Sequence, residues 1–224
     1  MTSYGHAFAA WRAACQPDWD AYTRHSFVEG LRDGTLPQSA FLTYLVQDYL
    51  FLQNFSRAWA LAVVKAGDLT EMQTCSTTVH TLLNYEMDLH VRTCASAGMD
   101  REVLSNAQEA VTNIAYTRYV LEAGYSGDFL DLLAALMPCV LGYGEIGLRL
   151  AREAAPDTPY RNWIDTYAGE EYQAACAEAG ALLDSAIRKR LGDTPEQSPR
   201  WAALSDRFAT ATRLEVAFWE LGKP

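Results

Sequence analysis

The chain has 224 residues, half of them hydrophobic, and a formal net charge of -10. Such a chain fits one large domain or two small ones with a substantial core, and global disorder is excluded. The negative charge argues against binding to nucleic acid or to an anionic membrane, because phosphates would be repelled and no basic cluster reverses the sign locally. We therefore expect neither kind of partner.

Compartment signals favour the cytoplasm. Five scattered cysteines without a CxxC motif do not resemble a disulfide framework, and the N-terminal segment lacks the basic and apolar stretches of a signal peptide. The most apolar segment, Leu132 to Gly144, has only 13 residues without charge. A membrane span needs roughly 18 or more, so this segment is predicted to be a core helix.

Helical periodicity runs through almost the whole chain, and no alternating strand pattern persists. We predict an all-α fold, a helical bundle in a single domain spanning residues 1–224. Capping patterns start two of the helices, one at Thr70 with Gln73 and one at Thr158 before Pro159. The predicted helices are approximately 5–15, 18–30, 37–66, 70–97, 100–123, 128–152, 158–190 and 200–221.

The longest predicted helix carries an acidic residue on its apolar face. Asp48 lies three residues after Leu45 and four before Leu52, within a stripe that continues to Phe55 and Trp59. A buried carboxylate is costly unless it is satisfied. Asp48 therefore either hydrogen-bonds a neighbouring helix or lines an aromatic pocket for a flat, polar ligand.

Cys139 lies in the apolar segment and shares a helix face with Leu136 and Tyr143. Pro138 removes a helical hydrogen bond, so a bend is expected at the cysteine. The thiol either packs as a small hydrophobic group or faces a cavity. A reactive thiolate would need a base or a positive neighbour, and none is visible in the local sequence.

A second acidic residue, Glu215, continues an apolar stripe formed by Leu204, Phe208, Ala211 and Phe218. Burial in an apolar setting would raise the pKa of this carboxyl, as a proton donor near neutral pH requires. Alternatively, Glu215 lies at the edge of the stripe and reaches solvent or an arginine. Glu220 belongs to another face and is predicted to be exposed.

Two tyrosines, Tyr116 and Tyr167, are also predicted to point inward, and such residues usually have a satisfied hydroxyl in the core. Glu86 and His90 are four residues apart, a spacing that can hold a metal ion. A two-metal helical site would repeat this pattern, but no histidine follows His90. We therefore expect no metal, and interpret Glu86 and His90 as a helix pair or a core hydrogen bond.

Taken together, short motifs along nearly the whole chain resemble those of the thiaminase II family, the TenA-type aminopyrimidine aminohydrolases. The motifs occur in the order and approximate spacing of that family: DGTLP (33–37), QDYLFL (47–52), EMDLH (86–90), LMPC (136–139), WIDTY (163–167) and EVAFW (215–219). The resemblance implies the all-helical haem-oxygenase-like fold without haem, and a homotetramer.

The resemblance also implies residue roles. It places a substrate-binding aspartate at Asp48, a nucleophilic cysteine at Cys139 and an acid/base glutamate at Glu215. The implied pocket aromatics are Phe51, Tyr116, Tyr143 and Tyr167. Relatives often carry tyrosine where this chain has Phe51, so a hydroxyl contact to the substrate or to Glu215 is missing.

The implied reaction replaces the amine, or the thiazolium, on the methylene carbon of a 4-amino-2-methylpyrimidine with water through a cysteine adduct. It requires no metal and no redox cofactor. Two alternatives remain open at this stage. One is a non-catalytic pyrimidine-binding or regulatory protein, and the other is an oxidase of the same fold related to pyrroloquinoline-quinone synthase.

Overall fold

The computed structural model describes residues 4–96 and 98–222, and this part of the chain is all-α, with no strand. It contains twelve α-helices: α1 (His6–Ala14), α2 (Gln16–Thr23), α3 (Ser26–Asp33), α4 (Gln38–Lys65), α5 (Leu69–Thr81), α6 (Met87–Ser96), α7 (Arg101–Ser105), α8 (Val111–Ser126), α9 (Phe129–Glu153), α10 (Arg161–Ala168), α11 (Glu170–Leu191) and α12 (Pro199–Trp219). The predicted fold class is confirmed.

Four of the predicted helices are each divided in two, and in one of them, the segment 70–97, the division is the π-helical turn Leu82–Glu86. The segment 18–30 breaks at His25, whose ring accepts a hydrogen bond from the Phe27 backbone N–H and caps α3. The segment 100–123 is interrupted by residues 106–110, and the segment 158–190 breaks at Gly169, an extended residue between α10 and α11. The apolar periodicity of the sequence continues across each break, because both helices of a pair bury an apolar face.

Both predicted capping assignments were wrong. Helix α5 is capped by Asp68, two residues before Thr70, because the Asp68 carboxylate accepts a hydrogen bond from the Glu71 backbone N–H. Tyr160 is the residue that precedes α10, while the Thr158 hydroxyl donates to the Leu31 carbonyl. The predicted end of the fourth segment, Ala97, lies outside the described residues.

The chain divides into two compact units, which we describe separately. Unit 1 comprises the chain up to Leu36 and Leu133–Val216. Aromatic rings from its helices fill part of its core, and the Trp19 ring stacks on Phe208 at a centroid distance of 5.6 Å. The carboxylate of Asp184 on α11 accepts the first backbone N–H groups of α1, which joins these two helices.

Unit 2 comprises Pro37–Leu132 and the chain from Ala217 onward. Helix α4 packs against α5, α6 and α8, and it buries the predicted stripe from Leu45 to Trp59. A π-helical turn, Leu82–Glu86, joins α5 to α6. Such turns are rare and shift the register of the residues that follow, often at functional sites.

Helix α9 contains the apolar segment that was predicted to be a core helix. Its length and composition would suffice to cross a membrane, but 78% of its most apolar 18-residue window is buried inside the protein. Its apolar side chains therefore take part in packing.

Close packing of α9 against α10 depends on Gly147. A Cβ atom at this position would lie 2.7 Å from the Tyr167 carbonyl oxygen and 2.8 Å from the Ala168 nitrogen. Real Cβ atoms do not approach backbone atoms this closely, so the glycine permits the contact that positions Tyr167.

We predict that Gly147→Ala destabilises the protein by about 1–3 kcal/mol, because the added methyl group overpacks a backbone contact. This loss should exceed the gain in helix propensity, which is about 1 kcal/mol. Urea unfolding measures the change. Ala151→Ser adds one atom to an exposed position one turn later on α9 and should have little effect. Equal stability of the two variants would contradict the prediction.

Candidate active site

Asp48 is buried on α4 with 4% of its surface exposed. Its Oδ2 atom accepts a hydrogen bond from the Tyr44 hydroxyl at 3.1 Å and lies 2.6 Å from His90 Nε2. The predicted burial is confirmed, as is the expectation that this carboxylate bonds a neighbouring helix, since His90 belongs to α6. These partners offset much of the cost of burying the charge.

His90 is itself buried and makes two hydrogen bonds. Its Nδ1 atom lies 2.9 Å from the Glu86 carbonyl oxygen, at the end of the π-helical turn. Burial tends to lower the pKa of His90. The negative charge and hydrogen bond of Asp48, with smaller contributions from the charge and carbonyl of Glu86, outweigh this and raise the pKa to about 9. The imidazole is therefore protonated at neutral pH.

An aromatic cluster adjoins Asp48 within unit 2. The Phe51 ring lies one turn after Asp48, and its centroid is 5.0 Å from Tyr116, 5.1 Å from Phe55 and 5.4 Å from Phe218. All four rings are buried. The structure thus brings together three of the predicted site residues, Asp48, Phe51 and Tyr116. We call these three residues, together with Tyr44 and His90, the Asp48 cluster.

A second group of predicted residues lies in unit 1. Tyr143 on α9 is 5.0 Å from Tyr167 on α10, and Trp163 is 4.6 Å from Tyr167, measured between ring centroids. Cys139 lies one turn before Tyr143 on the same helix face. We call these residues, Cys139, Tyr143, Trp163 and Tyr167, the Cys139 cluster.

Cys139 differs from the other cysteines in exposure. It is half-buried, whereas Cys15, Cys75, Cys94 and Cys176 are buried. None of the five, all of which the structure describes, forms a disulfide.

Burial, reinforced by nearby acidic groups, raises the thiol pKa of Cys75 to about 12 and that of Cys94 to about 11, so these thiols stay protonated. Accessibility therefore singles out Cys139 as the candidate nucleophile.

Glu215 is buried on α12 with 1% of its surface exposed, and the stripe predicted around it is buried as well. Glu220 is exposed, as predicted. Asp48 belongs to unit 2, and Cys139 and Glu215 belong to unit 1. The roles that the family resemblance implies for these three residues stay predictions.

Sequence reasoning found His90 but not its main partner. It paired the histidine with Glu86 on the same helix, and the expected core hydrogen bond is present, both to the Glu86 carbonyl and to Asp48 on α4. Spacing along one helix cannot identify a partner 42 residues away. Among the described residues, no group of three or more His, Cys, Asp or Glu side chains is arranged to hold a metal ion.

Trp163 and Phe218 were also missed as members of the two aromatic groups. Trp163 had a local signal, because it lies one turn before Tyr167 on α10. Phe218 had only its place in the stripe that contains Glu215.

Comparison with solved structures first defines the fold class. A domain of unknown function with a heme oxygenase-like fold from Shewanella denitrificans superimposes with a TM-score of 0.72 at 14% identity, over 95% of this chain and 90% of that chain. This likeness shows the fold alone.

Sequence comparison then gives the family. The model of the TENA/THI-4/PQQC family matches residues 12–222, and the chain belongs to this family. A crystal structure described as a TenA family transcription regulator, from Silicibacter sp. TM1040, is 57% identical with a TM-score of 0.96, over 98% of this chain and 97% of that one. A relative from Halalkalibacterium halodurans, named aminopyrimidine aminohydrolase, is 38% identical over 92% of this chain and 90% of its own length.

We predict that His90→Gln lowers stability in a pH-dependent way. The folded-state pKa of about 9 exceeds the unfolded value of 6.5, so the stabilisation is complete below pH 6.5 and is lost as pH rises through about 9. The difference in unfolding free energy from the wild type should be roughly 3 kcal/mol larger at pH 6 than at pH 10. Urea unfolding across this range measures it.

His80→Gln is the matched control, because His80 is exposed on the preceding helix. This variant should follow the wild type at every pH. A constant difference between His90→Gln and the wild type would contradict a charged His90 in the folded state.

Proposed function

We propose that the protein is an aminopyrimidine aminohydrolase of the thiaminase II type. It would act in thiamin salvage or degradation, replacing the amine or the thiazolium on the methylene carbon of a 4-amino-2-methylpyrimidine with water. Family membership and the name of the Halalkalibacterium halodurans relative support this reaction class. The proposal places the enzyme in the cytoplasm, where its thiols stay reduced.

The observation that carries the proposal is the contrast between Cys139 and the other cysteines. A nucleophilic thiol must be reachable by the substrate, and Cys139 is half-buried while the other four are buried. Tyr143 and Tyr167 provide flat apolar surface beside it, as an aromatic heterocycle requires. A cysteine used only for packing would need neither feature.

The proposal gives three residues a role in this reaction. Asp48 accepts hydrogen bonds from the N–H groups of the pyrimidine and so holds it in place. Cys139 attacks the ring, and Glu215 carries the proton that the ring takes up. Glu215 is buried, and a carboxyl held inside the protein can serve as the group that carries the proton. Phe51, Tyr116, Tyr143 and Tyr167 contact the faces of the ring.

The reaction proceeds in two stages. The Cys139 thiolate forms a C–S bond to a ring carbon, the ring loses its aromaticity and is protonated, and the C–N bond breaks as the amine leaves with a proton. Water then adds its oxygen to the methylene carbon and gives up a proton. The ring then gives back the proton that it took up, the C–S bond breaks, the thiolate is released, and the ring becomes aromatic again.

We predict that Cys139→Ser and Glu215→Gln each lower the turnover of 4-amino-5-aminomethyl-2-methylpyrimidine by about 10²-fold or more, because each removes a group that acts in the transition state. Product formation from this compound and from thiamin, measured side by side, gives the rates. Circular dichroism should show that the helical fold is retained.

Two control variants match these substitutions. Cys15→Ser alters a buried thiol of unit 1, and Glu220→Gln alters an exposed carboxylate five residues after Glu215. Both should turn over at the wild-type rate. Near-normal turnover by Cys139→Ser would rule out the covalent mechanism.

A second candidate is a regulatory protein that binds a pyrimidine without reacting. The description of the Silicibacter structure as a transcription regulator favours it. Such a protein would have no use for an accessible thiol. Alkylation of Cys139 that is blocked by a bound pyrimidine, together with turnover that alkylation abolishes, supports the enzyme. Binding without turnover by the wild type would support the regulator.

We also propose that the protein forms a homotetramer. In the described part of the chain, the exposed large hydrophobic side chains all belong to unit 2: Val64, Leu69, Met72, Leu83, Val103, Val111, Ile114 and Tyr125. Exposed apolar surface confined to one region is typical of an interface between protein chains.

We predict a solution mass near that of four copies of the 24.9 kDa chain, about 100 kDa, by light scattering after size exclusion. Leu69→Glu and Val111→Glu should lower this mass, since each places a charge in the interface. Thr70→Glu, at an exposed polar position next to Leu69, should leave it unchanged. A monomeric wild type would overturn the proposal.

A further inference from the structure

The hydrogen bonds of His90 fix how many protons it shares with Asp48. A carbonyl oxygen can only accept, so the contact of His90 Nδ1 with the Glu86 carbonyl places a hydrogen on Nδ1. The 2.6 Å contact between Nε2 and Asp48 Oδ2 also requires a hydrogen between two atoms that would otherwise both be acceptors. The pair therefore holds one shared proton between these two atoms, which belongs to the protonated imidazole at neutral pH.

The same bonds leave the two oxygens of Asp48 in different situations. Oδ2 faces both the Tyr44 hydroxyl and His90 Nε2. Oδ1 accepts no hydrogen bond from a side chain that the structure describes. Wherever the shared proton lies, Oδ1 carries none, so it can act only as a hydrogen-bond acceptor.

An oxygen that only accepts distinguishes between pyrimidines. A 4-aminopyrimidine offers an N–H donor from its exocyclic amine, whereas a ring with a carbonyl at that position offers a second acceptor and would be repelled. A carboxylate that was free to rotate or to take up a proton on Oδ1 would lose this selectivity.

We propose that His90 is a positioning residue, which together with Tyr44 occupies Oδ2 and keeps Oδ1 of Asp48 as a fixed acceptor for the exocyclic amine of the pyrimidine. This inference rests on the proposed function, because it assumes an aminopyrimidine ligand. The π-helical turn contributes by ending at the Glu86 carbonyl, which orients the ring of His90.

Binding of the product of the proposed reaction, 4-amino-5-hydroxymethyl-2-methylpyrimidine, measured by calorimetry, tests the inference without requiring turnover. His90→Gln keeps a hydrogen-bond donor but removes the shared proton. We expect roughly 10- to 100-fold weaker binding of this compound. The compound that lacks the exocyclic amine, 5-hydroxymethyl-2-methylpyrimidine, should bind the wild type and His90→Gln within a factor of about two of each other. Equal losses for both compounds would show a general structural effect and overturn the inference.

The pH profile of binding gives a second readout. Asp48 on α4 and Glu86 before α6 act on His90, while the Tyr44 hydroxyl bonds Asp48 and the Cys94 thiol, which titrates above this range, is influenced by Asp48. Wild-type binding of the aminopyrimidine should weaken as pH rises through about 9, when the shared proton is lost. This loss should be absent in His90→Gln and present in His80→Gln.

If His90→Gln fails to fold, nitrogen NMR of the wild-type histidines still tests the inference. Both ring nitrogens of His90 should carry hydrogen at pH 7. A bare Nε2 would overturn the inference. A wild type that binds no aminopyrimidine would overturn the proposed function and this inference together. Normal turnover and binding by a folded His90→Gln would overturn this inference alone.

Discussion

A buried hydrogen bond between His90 and Asp48 is the interaction on which the candidate ligand chemistry of unit 2 depends. Its 2.6 Å length, its burial and the second bond from His90 to the Glu86 carbonyl hold a carboxylate in an apolar setting at low cost. Without this partner, Asp48 would have the Tyr44 hydroxyl as its only donor among the side chains that the structure describes. The π-helical turn before α6 and the aromatic packing around Phe51 surround the same bond.

In unit 1, the corresponding constraint is the close packing of α9 against α10. Gly147 lets the backbone at Tyr167 approach α9, and this places the Tyr167 ring against Tyr143, one turn from Cys139. The position of the Tyr167 ring is therefore set by a missing side chain. Cys139 is half-buried, whereas Cys75 and Cys94 are buried and have raised thiol pKa values.

The two clusters use different physical means to prepare a site. In the Asp48 cluster, Tyr44 and His90 occupy Oδ2 and leave Oδ1 to accept a hydrogen bond from a ligand. In the Cys139 cluster, Cys139 is the one cysteine of the five that is not buried, and its thiol is the proposed nucleophile. The proposed hydrolase needs both properties, since a poorly electrophilic ring must be held in one orientation before a thiolate can add to it. A regulator that only binds would need the first property and not the second.

The sequence by itself determined the helical class, the extent of α4, and the burial of Asp48 and Glu215, because these follow from apolar residues repeating every three to four positions. Its motifs were sufficient to predict the family. The tertiary structure alone decided the partner of His90, the breaks at His25 and Gly169, and the ring contacts of Trp163 and Phe218. These depend on which faces of distant helices meet, and a helix turn presents the same pattern whichever neighbour it packs against.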